Sequence, residues 1–420
     1  MSTMPTVIPA QPAQRDSTPP AAPAPLQQRS RRLVRRYGPA VGCYAVLKLV
    51  GFAVFMRLVD YSGYYLTKSP RLGGGAHPWD VPASFDGWWY QLIAQFGYDP
   101  QLVPITNSPW YTFQENSAAF FPLYPGLMRL VSEITGLGLY GAGMLVAVVA
   151  SLLAAAGVFA VAERLGGVRA GVIAAGLWAV MPGSGAEWAV YSDSTFVALA
   201  AWSCYAVITG RWITAGVLAL TAGLSRPTAV TLIAAVGLAA LVALFRHRDR
   251  VERPLIAMTL APLGLLGYVG WVGWRMGDWG GYFKLQRGAW LHFFDGGQFT
   301  FATMRSIMLG RNDYVFAAPV PDLLAALIIL ALPILIVLLV RLRPPAVLMV
   351  HTLATVAILV CNQQIFSNVS RFLLPAFPLL IPLAIALSRL SRPALVTVLG
   401  TCALASGWFA GFAIFELGAP

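Results

Sequence analysis

An aspartate among aromatic residues is the first feature of this sequence with the chemistry of a catalyst. Asp86 is the second residue of the stretch FDGWWYQLIAQFGYD (residues 85–99) and precedes Trp88, Trp89 and Tyr90. An exposed aspartate is ionised at neutral pH, so it can take the proton of an attacking hydroxyl group as a general base. Aspartate is also a favoured helix N-cap, and the two interpretations are compatible because capping holds the carboxylate in place. The stretch predicts a general base at Asp86.

Two arginines lie beside apolar runs, Arg226 in LSRPT and Arg371 in SNVSR. One interpretation is a long side chain that anchors a helix end at the membrane surface. The other is phosphate binding, because a guanidinium group holds a phosphate through two parallel charge-assisted hydrogen bonds. The basic residues between 276 and 320 form a weaker set, since that loop is long and exposed. We expect a phosphate at Arg371, with Arg226 as a second ligand.

Two acids flank a tyrosine in the stretch GAEWAVYSDS, where Glu187, Tyr191 and Asp193 follow one another at short spacing. Asp193 is a suitable N-cap for the apolar run that begins near Thr195. Alternatively, the two acids face the same cavity as Asp86 and orient a sugar or an active-site arginine. We therefore predict that Glu187, Tyr191 and Asp193 contribute to substrate binding.

Aromatic residues around Asp86 supply flat apolar faces for a sugar or a lipid, and we predict such contacts for Trp89 and Tyr124. Their alternative role is in the aromatic belt of a membrane protein. His77 and His292 have no metal-binding spacing, and the four cysteines form no CxxC pair. The sequence therefore predicts neither a metal site nor a disulfide framework, and no cofactor.

The elements that position these residues must be membrane helices. The chain of 420 residues is 58% hydrophobic and 11% charged, whereas a soluble domain carries roughly 25% charged residues. A net charge of +12 suggests nucleic acid in a soluble protein, but here the arginines cluster in short loops between apolar runs, as the positive-inside rule requires. The composition predicts an all-α, polytopic transmembrane protein and no nucleic-acid partner.

The apolar runs predict about eleven spans of roughly 20 residues each. They lie at about 39–59, 138–162, 168–182, 193–209, 213–224, 228–245, 255–275, 321–341, 345–361, 371–388 and 393–413. The loop between the first two runs is too rich in proline to be one helix. Within it, residues 86–96 repeat apolar side chains at helical spacing and predict a short amphipathic helix, and residues 120–134 predict a second interfacial segment.

Charge predicts the orientation of the chain. Five arginines between Arg29 and Arg36 precede the first span, which places the N-terminus in the cytoplasm. Residues 1–36 are then a disordered cytoplasmic tail, and residues 37–420 are one integral-membrane domain. The loops 60–137 and 276–320 lie outside, so Asp86 faces the extracytoplasmic side of the plasma membrane.

Nucleotide-binding motifs are missing from the sequence, and no predicted cytoplasmic connection is long enough for a nucleotide-binding domain. A sugar donor must therefore arrive from the membrane or from outside, and lipid-phosphate sugars meet that condition. A transporter or flippase of lipid-linked sugars is the rival function. A transporter is expected to carry acidic residues and helix breaks in the middle of the membrane, and its sequence to consist of two repeated halves. Here the acidic residues lie at the predicted outer edge of the membrane.

The motifs resemble those of the PIG-V type, the second GPI mannosyltransferase family. The similarity lies in FDGWWYQLIAQFGYD with NSAAFFPLYP, in PGSGAEWAVYSDSTFVAL and in LTAGLSRPTAV, which follow the family's order over about 80–235. SRFLLPAFP resembles an arginine motif of multispanning glycosyltransferases with the GT-C fold.

The resemblance implies an inverting mannosyltransferase with a polyprenyl-phosphate-mannose donor and a lipid or glycan acceptor. The family's loop aspartate corresponds to Asp86, its second acid to Asp193 and its arginine to Arg226. Phe85 replaces the family's usual tryptophan, and Asp193 replaces its glutamate. The composition, rich in Ala, Gly and Arg, resembles that of an actinobacterial member, and because such cells make no GPI anchors, the family's usual acceptor is not carried over. A GT-C transferase of another hexose or of a pentose remains an alternative, and no protein partner is indicated.

Overall fold

The described part of the chain is mainly helical and contains no strand, only two isolated β-bridges. A computed structural model describes residues 26–246, 251–311, 319–363 and 365–416. Contacts divide the chain into two units, Met1–Gly38 and Pro39–Pro420. The predicted site residues all belong to the second unit. This architecture confirms the all-α fold class.

The helices are numbered in chain order. The first nine are α1 (Leu26–Ser62), α2 (Asp86–Phe96), α3 (Leu123–Thr135), α4 (Leu139–Ala179), α5 (Asp193–Ile208), α6 (Trp212–Gly223), α7 (Val230–Arg246), α8 (Glu252–Leu260) and α9 (Leu263–Met276). The others are α10 (Gly281–Trp290), α11 (Gln298–Met308), α12 (Val320–Arg341), α13 (Ala346–Cys361), α14 (Val369–Phe372), α15 (Leu380–Leu387) and α16 (Arg392–Ser406). A π-helical segment, Gly407–Glu416, follows α16.

Six helical segments among the described residues are long and apolar enough to cross a membrane, and a bent pair at Phe366–Leu387 makes a seventh. Three shorter apolar helices, α5, α6 and α13, accompany them. Helix α4 contains two of the predicted spans, which meet at Gly167, where φ is 81° and ψ is 174°. Each predicted span therefore overlaps a helical segment, but six or seven of the described helices, rather than eleven, are long enough to cross a membrane.

One helix boundary and two additional helices differ from the predictions. Helix α1 begins at Leu26, so residues 26–36 of the predicted disordered tail are helical, while residues 1–25 lie outside the described part. The loop 276–320 contains two helices that were not predicted, α10 and α11. Both are short, at 10 and 11 residues, and local periodicity is weak evidence over such lengths.

Small residues let the central helices approach closely. Helix α4 packs against α5 and α15, α5 against α6, and α7 against α13. A Cβ atom at Gly157 of α4 would lie 2.9 Å from the Cβ of Ala201 in α5. Such contacts hold membrane helices together, because lipid supplies no hydrophobic drive for their association.

The long loop between α1 and α4 folds onto the ends of these helices. As predicted, α2 is a short helix, and its Tyr90 packs with Tyr124 and Met128 of α3 and with Val190. The ring centroids of Tyr90 and Tyr124 are 4.9 Å apart. This aromatic cluster ties α2 to the segment before α5 and so fixes where α2 begins.

Two arginine-containing segments, at 164–169 and 389–392, lie next to each other. Arg169 donates a hydrogen bond from Nη2 to the carbonyl oxygen of Leu390 at 2.5 Å. Helix α5 runs for 16 residues from Asp193 to Ile208, close to Arg211, a length of about 24 Å at 1.5 Å per residue. The start of α5 and Arg211 are therefore well separated.

Candidate active site

A tight turn presents Asp86 at the start of α2. The amide of Gly87 donates to the carbonyl oxygen of Ser84 at 3.0 Å, and the amide of Phe85 donates to that of Arg71 at 2.8 Å. The turn gives Phe85 a φ of 54° and a ψ of −116°, a conformation that residues other than glycine rarely adopt. Backbone strain of this kind persists only where the surrounding structure holds the residue in that conformation.

The helix N-cap is Phe85, and Asp86 is the first residue of the helix itself. No side chain caps α2, so the interpretation of Asp86 as the N-cap is wrong. The same holds at α5, where Ser192 is the N-cap and Asp193 follows it. Both carboxylates are thereby free to pair with cations.

One arginine joins the two aspartates. Arg371 Nη2 lies 2.9 Å from Asp193 Oδ2 and also contacts Asp86 Oδ2. The Nε of Arg371 lies 3.3 Å from both oxygens of Asp193. Its guanidinium carbon sits 4.3 Å from the centroid of the Tyr191 ring, a cation–π contact. Four predicted site residues therefore meet at one point.

Arg226 completes the cluster, because its Nη1 contacts Asp193 Oδ1. The guanidinium carbon of Arg226 also lies 5.4 Å from the centroid of Phe372. Two acids and two arginines thus form a chain of ion pairs whose formal charges cancel. Unlike exposed ion pairs, buried ones depend strongly on every partner being present.

Burial distinguishes the four charged side chains. Those of Asp193, Arg371 and Arg226 are 4%, 6% and 11% exposed, respectively, whereas that of Asp86 is 26% exposed. The three buried groups form a support behind Asp86. A substrate therefore meets the Asp86 carboxylate first.

A cavity of about 120 Å³ adjoins the cluster, with Asp86 and Arg226 in its wall. The other walls come from α2, from the turn before α3, and from the end of α10; they include Tyr90, Phe120, Gln286, Trp290, His292 and Phe372. Arg371 is not part of this wall. Arg226 is therefore the arginine that a bound ligand reaches directly.

Two titratable groups of the cavity stay uncharged near neutral pH. Burial lowers the pKa of His292 to about 4, although the nearby Asp86 carboxylate acts in the opposite direction. Burial, aided by Asp86, raises the pKa of Tyr90 above its ordinary range. The Tyr90 hydroxyl lies 2.7 Å from Ser192 Oγ. Both groups can therefore serve as neutral hydrogen-bonding partners for a ligand.

Six of the seven predicted substrate-binding residues are not part of the cavity wall. Arg371, Asp193 and Tyr191 belong to the cluster behind it, and the other three lie elsewhere. Tyr124 is fully buried and donates its hydroxyl to the carbonyl oxygen of Gly143 at 2.9 Å. Trp89 stacks on Phe120 with ring centroids 5.5 Å apart, and so supports the wall from behind. Glu187 pairs with Lys48 at 2.9 Å and lines a different cavity.

The loop 276–320 supplies residues that sequence reasoning missed. Gln286, Trp290 and His292 enter the cavity wall through α10 and the residue pair after it. Gln286 donates from Nε2 to the carbonyl oxygen of Ala119 at 3.3 Å and to the Tyr282 hydroxyl at 3.1 Å. Their local signal was a polar and an aromatic residue at helical spacing, Gln286 and Trp290. The basic neighbour Lys284 instead pairs with Asp278.

Metal ligands do not gather in the described ranges of the chain, where no three His, Cys, Asp or Glu residues are grouped so as to hold an ion. That the protein works without a bound metal ion stays a prediction. The aspartates are instead neutralised by arginine, which supplies a fixed positive charge.

Comparison with known proteins adds a partial family match. Residues 119–274, less than half of the chain, match the PMT_2 family, described as dolichyl-phosphate-mannose-protein mannosyltransferase. The match includes Phe120, Asp193 and Arg226 but ends before Arg371. No curated protein matches the chain. Membership of the PIG-V type stays a prediction.

Two solved structures are similar to the whole membrane domain. ArnT from Cupriavidus metallidurans, bound to undecaprenyl phosphate, is 16% identical with a TM-score of 0.50, over 90% of this chain and 66% of ArnT. The archaeal oligosaccharyltransferase AglB from Archaeoglobus fulgidus, in complex with an inhibitory peptide and a dolichol-phosphate, is 14% identical. Its TM-score is 0.49, over 92% of this chain and 57% of AglB. The chain spans less than two thirds of either protein, and it is a polytopic helical membrane protein with the GT-C fold of ArnT.

Proposed function

We propose that this protein is a glycosyltransferase that moves mannose from a polyprenyl-phosphate carrier to a hydroxyl group of a lipid or glycan acceptor. The observation that carries the proposal is the partly exposed Asp86 carboxylate beside a cavity, backed by two arginines that a buried aspartate holds. A base next to fixed positive charge is what attack by a hydroxyl on a sugar phosphate requires.

Donor binding begins at Arg226 in the proposal, because this arginine lines the cavity. The ion pairs leave the cluster with no net charge, so an arriving phosphate must compete with a carboxylate for its arginine. Asp86 is the more replaceable partner, since it is more exposed than Asp193. The phosphate thus takes the place of Asp86 at Arg371 and releases the Asp86 carboxylate.

Transfer follows from this exchange. The released Asp86 carboxylate takes the proton of the acceptor hydroxyl as its oxygen attacks the anomeric carbon. The bond from that carbon to the phosphate oxygen breaks, and polyprenyl phosphate leaves with the electron pair. Attack from the face opposite the phosphate inverts the anomeric carbon. Arg226 and Arg371 stabilise the negative charge on the leaving phosphate, a term that is usually large in such reactions.

The size of the cavity suggests how much of the substrate it holds. A volume of about 120 Å³ is well below the roughly 300–1,000 Å³ of sites that enclose a whole small molecule. We infer that the cavity receives the reacting sugar and phosphate while the polyprenyl chain stays in the membrane. Phe120 and Trp290 supply apolar faces for the sugar ring.

Three similarities support mannose as the transferred sugar and polyprenyl phosphate as its lipid carrier. The partial match concerns a dolichyl-phosphate-mannose-dependent family, ArnT binds undecaprenyl phosphate, and the motif order resembles the PIG-V type. The cytoplasmic N-terminus and the extracytoplasmic site in the plasma membrane are supported by charge. Arg211 lies at the end of α5 opposite to Asp193.

The test supplies the full-length protein with a radiolabelled donor. Membranes that contain the protein or its Asp86→Asn variant are incubated with polyprenyl-phosphate-[³H]mannose, and labelled lipids and glycans are separated from the donor. We expect a new labelled product from the wild type and a loss of at least about 100-fold in the variant, the usual contribution of a general base.

Asp278→Asn is the matched control, because Asp278 is an outer-loop aspartate that pairs with Lys284 away from the cavity. It should retain full transfer. Glucose, galactose and arabinose donors run in parallel identify the sugar. Equal labelling by Asp86→Asn and the wild type would refute Asp86 as the base. Donor movement across vesicles without any product would instead identify a flippase.

A further inference from the structure

A second polar cluster lies between α1 and α4, apart from the Asp86 cavity. It adjoins a cavity of about 330 Å³ whose wall includes Tyr44, Lys48, Val148, Glu187 and Trp188. None of these residues lines the Asp86 cavity. The proposed transfer reaction makes no use of this cluster.

Glu187 is bound through only one of its two oxygens. Its Oε2 lies 2.9 Å from Lys48 Nζ and accepts a hydrogen bond from the Tyr44 hydroxyl at 2.5 Å. Among the described residues, its Oε1 has no hydrogen-bond partner, although Glu187 is only 2% exposed. Buried polar atoms are rarely left unpaired in native proteins.

Trp188 presents a second unpaired group in the wall of the same cavity. Its indole N–H has no partner among the described residues, and the residue is 5% exposed. Gly51 of α1 permits this position, because a Cβ atom there would lie 2.8 Å from the indole ring. Two adjacent residues of the cavity wall therefore each carry a buried polar atom, one an acceptor and one a donor, that has no partner among the described residues.

The charge of the cluster excludes an anionic ligand. Lys48 is fully engaged: its Nζ pairs with Glu187, donates to the carbonyl oxygen of Ser184 at 2.7 Å, and lies 4.6 Å from the centroid of the Trp188 ring. With one cation and one anion, the cluster has no spare charge. A hydroxyl group fits it, since one O–H donates a proton and accepts another.

Apolar residues surround the polar end of the cavity. Leu49 of α1 and Val148 of α4 line it and are exposed on the surface of the helices. In a membrane protein such a surface faces lipid. An acyl chain can therefore pass between these two side chains while a small head group reaches Glu187.

We propose that this cavity binds a membrane lipid with an uncharged hydroxyl head group, of the diacylglycerol type. The hydroxyl donates to Glu187 Oε1 and accepts from Trp188 Nε1, and the acyl chains lie against Leu49 and Val148. The site is separate from the proposed transfer site and does not depend on the identity of the transferred sugar.

The test uses photoactivatable lipids on the full-length protein in nanodiscs. A diazirine-labelled diacylglycerol is compared with a diazirine-labelled phosphatidylcholine of the same acyl chain, and the labelled peptides are mapped by mass spectrometry. We expect diacylglycerol to label residues 44–52 and 144–152 at least 5-fold more than phosphatidylcholine does.

Two variants give independent tests of the site. Trp188→Phe removes the N–H but keeps an aromatic ring, and Val148→Phe narrows the entrance from its exposed rim. Each should reduce diacylglycerol labelling at least 5-fold, whereas Trp274→Phe, on the exposed face of α9, should not change it. If Trp188→Phe does not fold, the diacylglycerol labelling of Val148→Phe alone tests the proposal.

Asp86→Asn separates this proposal from the transfer reaction, since the variant should lose transfer yet keep full labelling of these peptides. Labelling that does not distinguish the two lipids would overturn the proposal. So would labelling that persists unchanged in Val148→Phe.

Discussion

Arg371 and Asp193 are 178 positions apart in the chain, yet Arg371 Nη2 lies 2.9 Å from Asp193 Oδ2. The contact joins the broken helix at α14 to the first turn of α5. The same Nη2 atom also contacts Asp86 Oδ2. The position of the Asp86 carboxylate therefore depends on a buried ion pair.

Removal of Asp193 should harm stability more than removal of Asp86. Asp193→Asn leaves Arg226 and most of Arg371 without a buried counter-charge, and breaking such a pair costs about 3–5 kcal/mol. In Asp86→Asn, Arg371 keeps Asp193, so the loss should be about 1 kcal/mol, typical of one hydrogen bond. Thermal unfolding of both variants in the same detergent gives the comparison.

The matched control for this pair is Asp278→Asn, an exposed carboxylate whose partner is Lys284. Its unfolding temperature should stay close to that of the wild type, because surface ion pairs contribute little. Equal destabilisation by Asp193→Asn and Asp86→Asn would contradict the supporting role of Asp193.

Arg226→Lys should weaken donor binding while the fold survives. Lysine keeps the charge next to Asp193 but loses the two-pronged hydrogen bonding that suits a phosphate. We expect the KM for the polyprenyl-phosphate donor to rise about 10-fold, the equivalent of one lost hydrogen bond to a charged group. Donor titration at saturating acceptor gives KM and kcat separately. An unchanged donor KM would reduce Arg226 to a structural partner of Asp193.

Arg371→Lys should behave differently, because Arg371 is more buried and pairs with both aspartates. Lysine lacks the planar guanidinium group, so its single ammonium group cannot pair with Asp193 and Asp86 in the same geometry. The unfolding temperature and kcat should both fall, and acceptor KM should change less than donor KM. A variant that loses donor affinity alone would place Arg371 on the cavity side of the cluster.

Gly183→Ala should displace Arg371 without touching any charged group. A Cβ atom at Gly183 would collide with the backbone of Ser370 and Arg371, so α14 must shift. We expect lower stability and a loss of transfer of at least about 100-fold, as expected for a catalytic group displaced by about 1 Å. Thermal unfolding and the transfer assay check both effects.

Gly237→Ala is the control for that substitution. Gly237 lies within α7, and a Cβ atom there would meet nothing within 4 Å. Alanine in a helix interior is favoured by about 0.5–1 kcal/mol over glycine, so this variant should be as stable as the wild type or more so. Normal transfer by Gly183→Ala would show that α14 adjusts freely.

Stability should depend on pH through His292. Its pKa is lowered to about 4 in the folded protein, while an unperturbed histidine titrates near about 6.5. Between these values the unfolded chain binds the extra proton, so stability is fully present above about pH 6.5 and falls as the pH is lowered towards 4. The contribution is at most about 3 kcal/mol.

His292→Gln should flatten this dependence, because glutamine does not titrate in the range. Unfolding temperatures measured from pH 7 to pH 4.5 should fall less for the variant than for the wild type. His77→Gln, at an exposed histidine, should follow the wild-type curve. Parallel curves for His292→Gln and the wild type would show that the side chain is accessible to protons in the folded state.

Local sequence was a reliable guide wherever one segment decides its own structure. Apolar runs such as 228–245 and 321–341 are helices because lipid offers backbone N–H and C=O groups no other partners. The pattern around Asp86 predicted α2, and the structure confirms this helix. In contrast, α10 and α11 are short and were missed.

The sequence by itself determined the class of protein, the helical segments and the types of residue available for chemistry. Tertiary structure alone decided which of them meet: Asp193 and Arg371 pair across 178 positions, His292 joins the cavity, and Glu187 pairs with Lys48 in another one. Such contacts depend on how helices pack and where kinks fall. A local pattern carries no information on either, since it records only which side of its own helix a residue occupies.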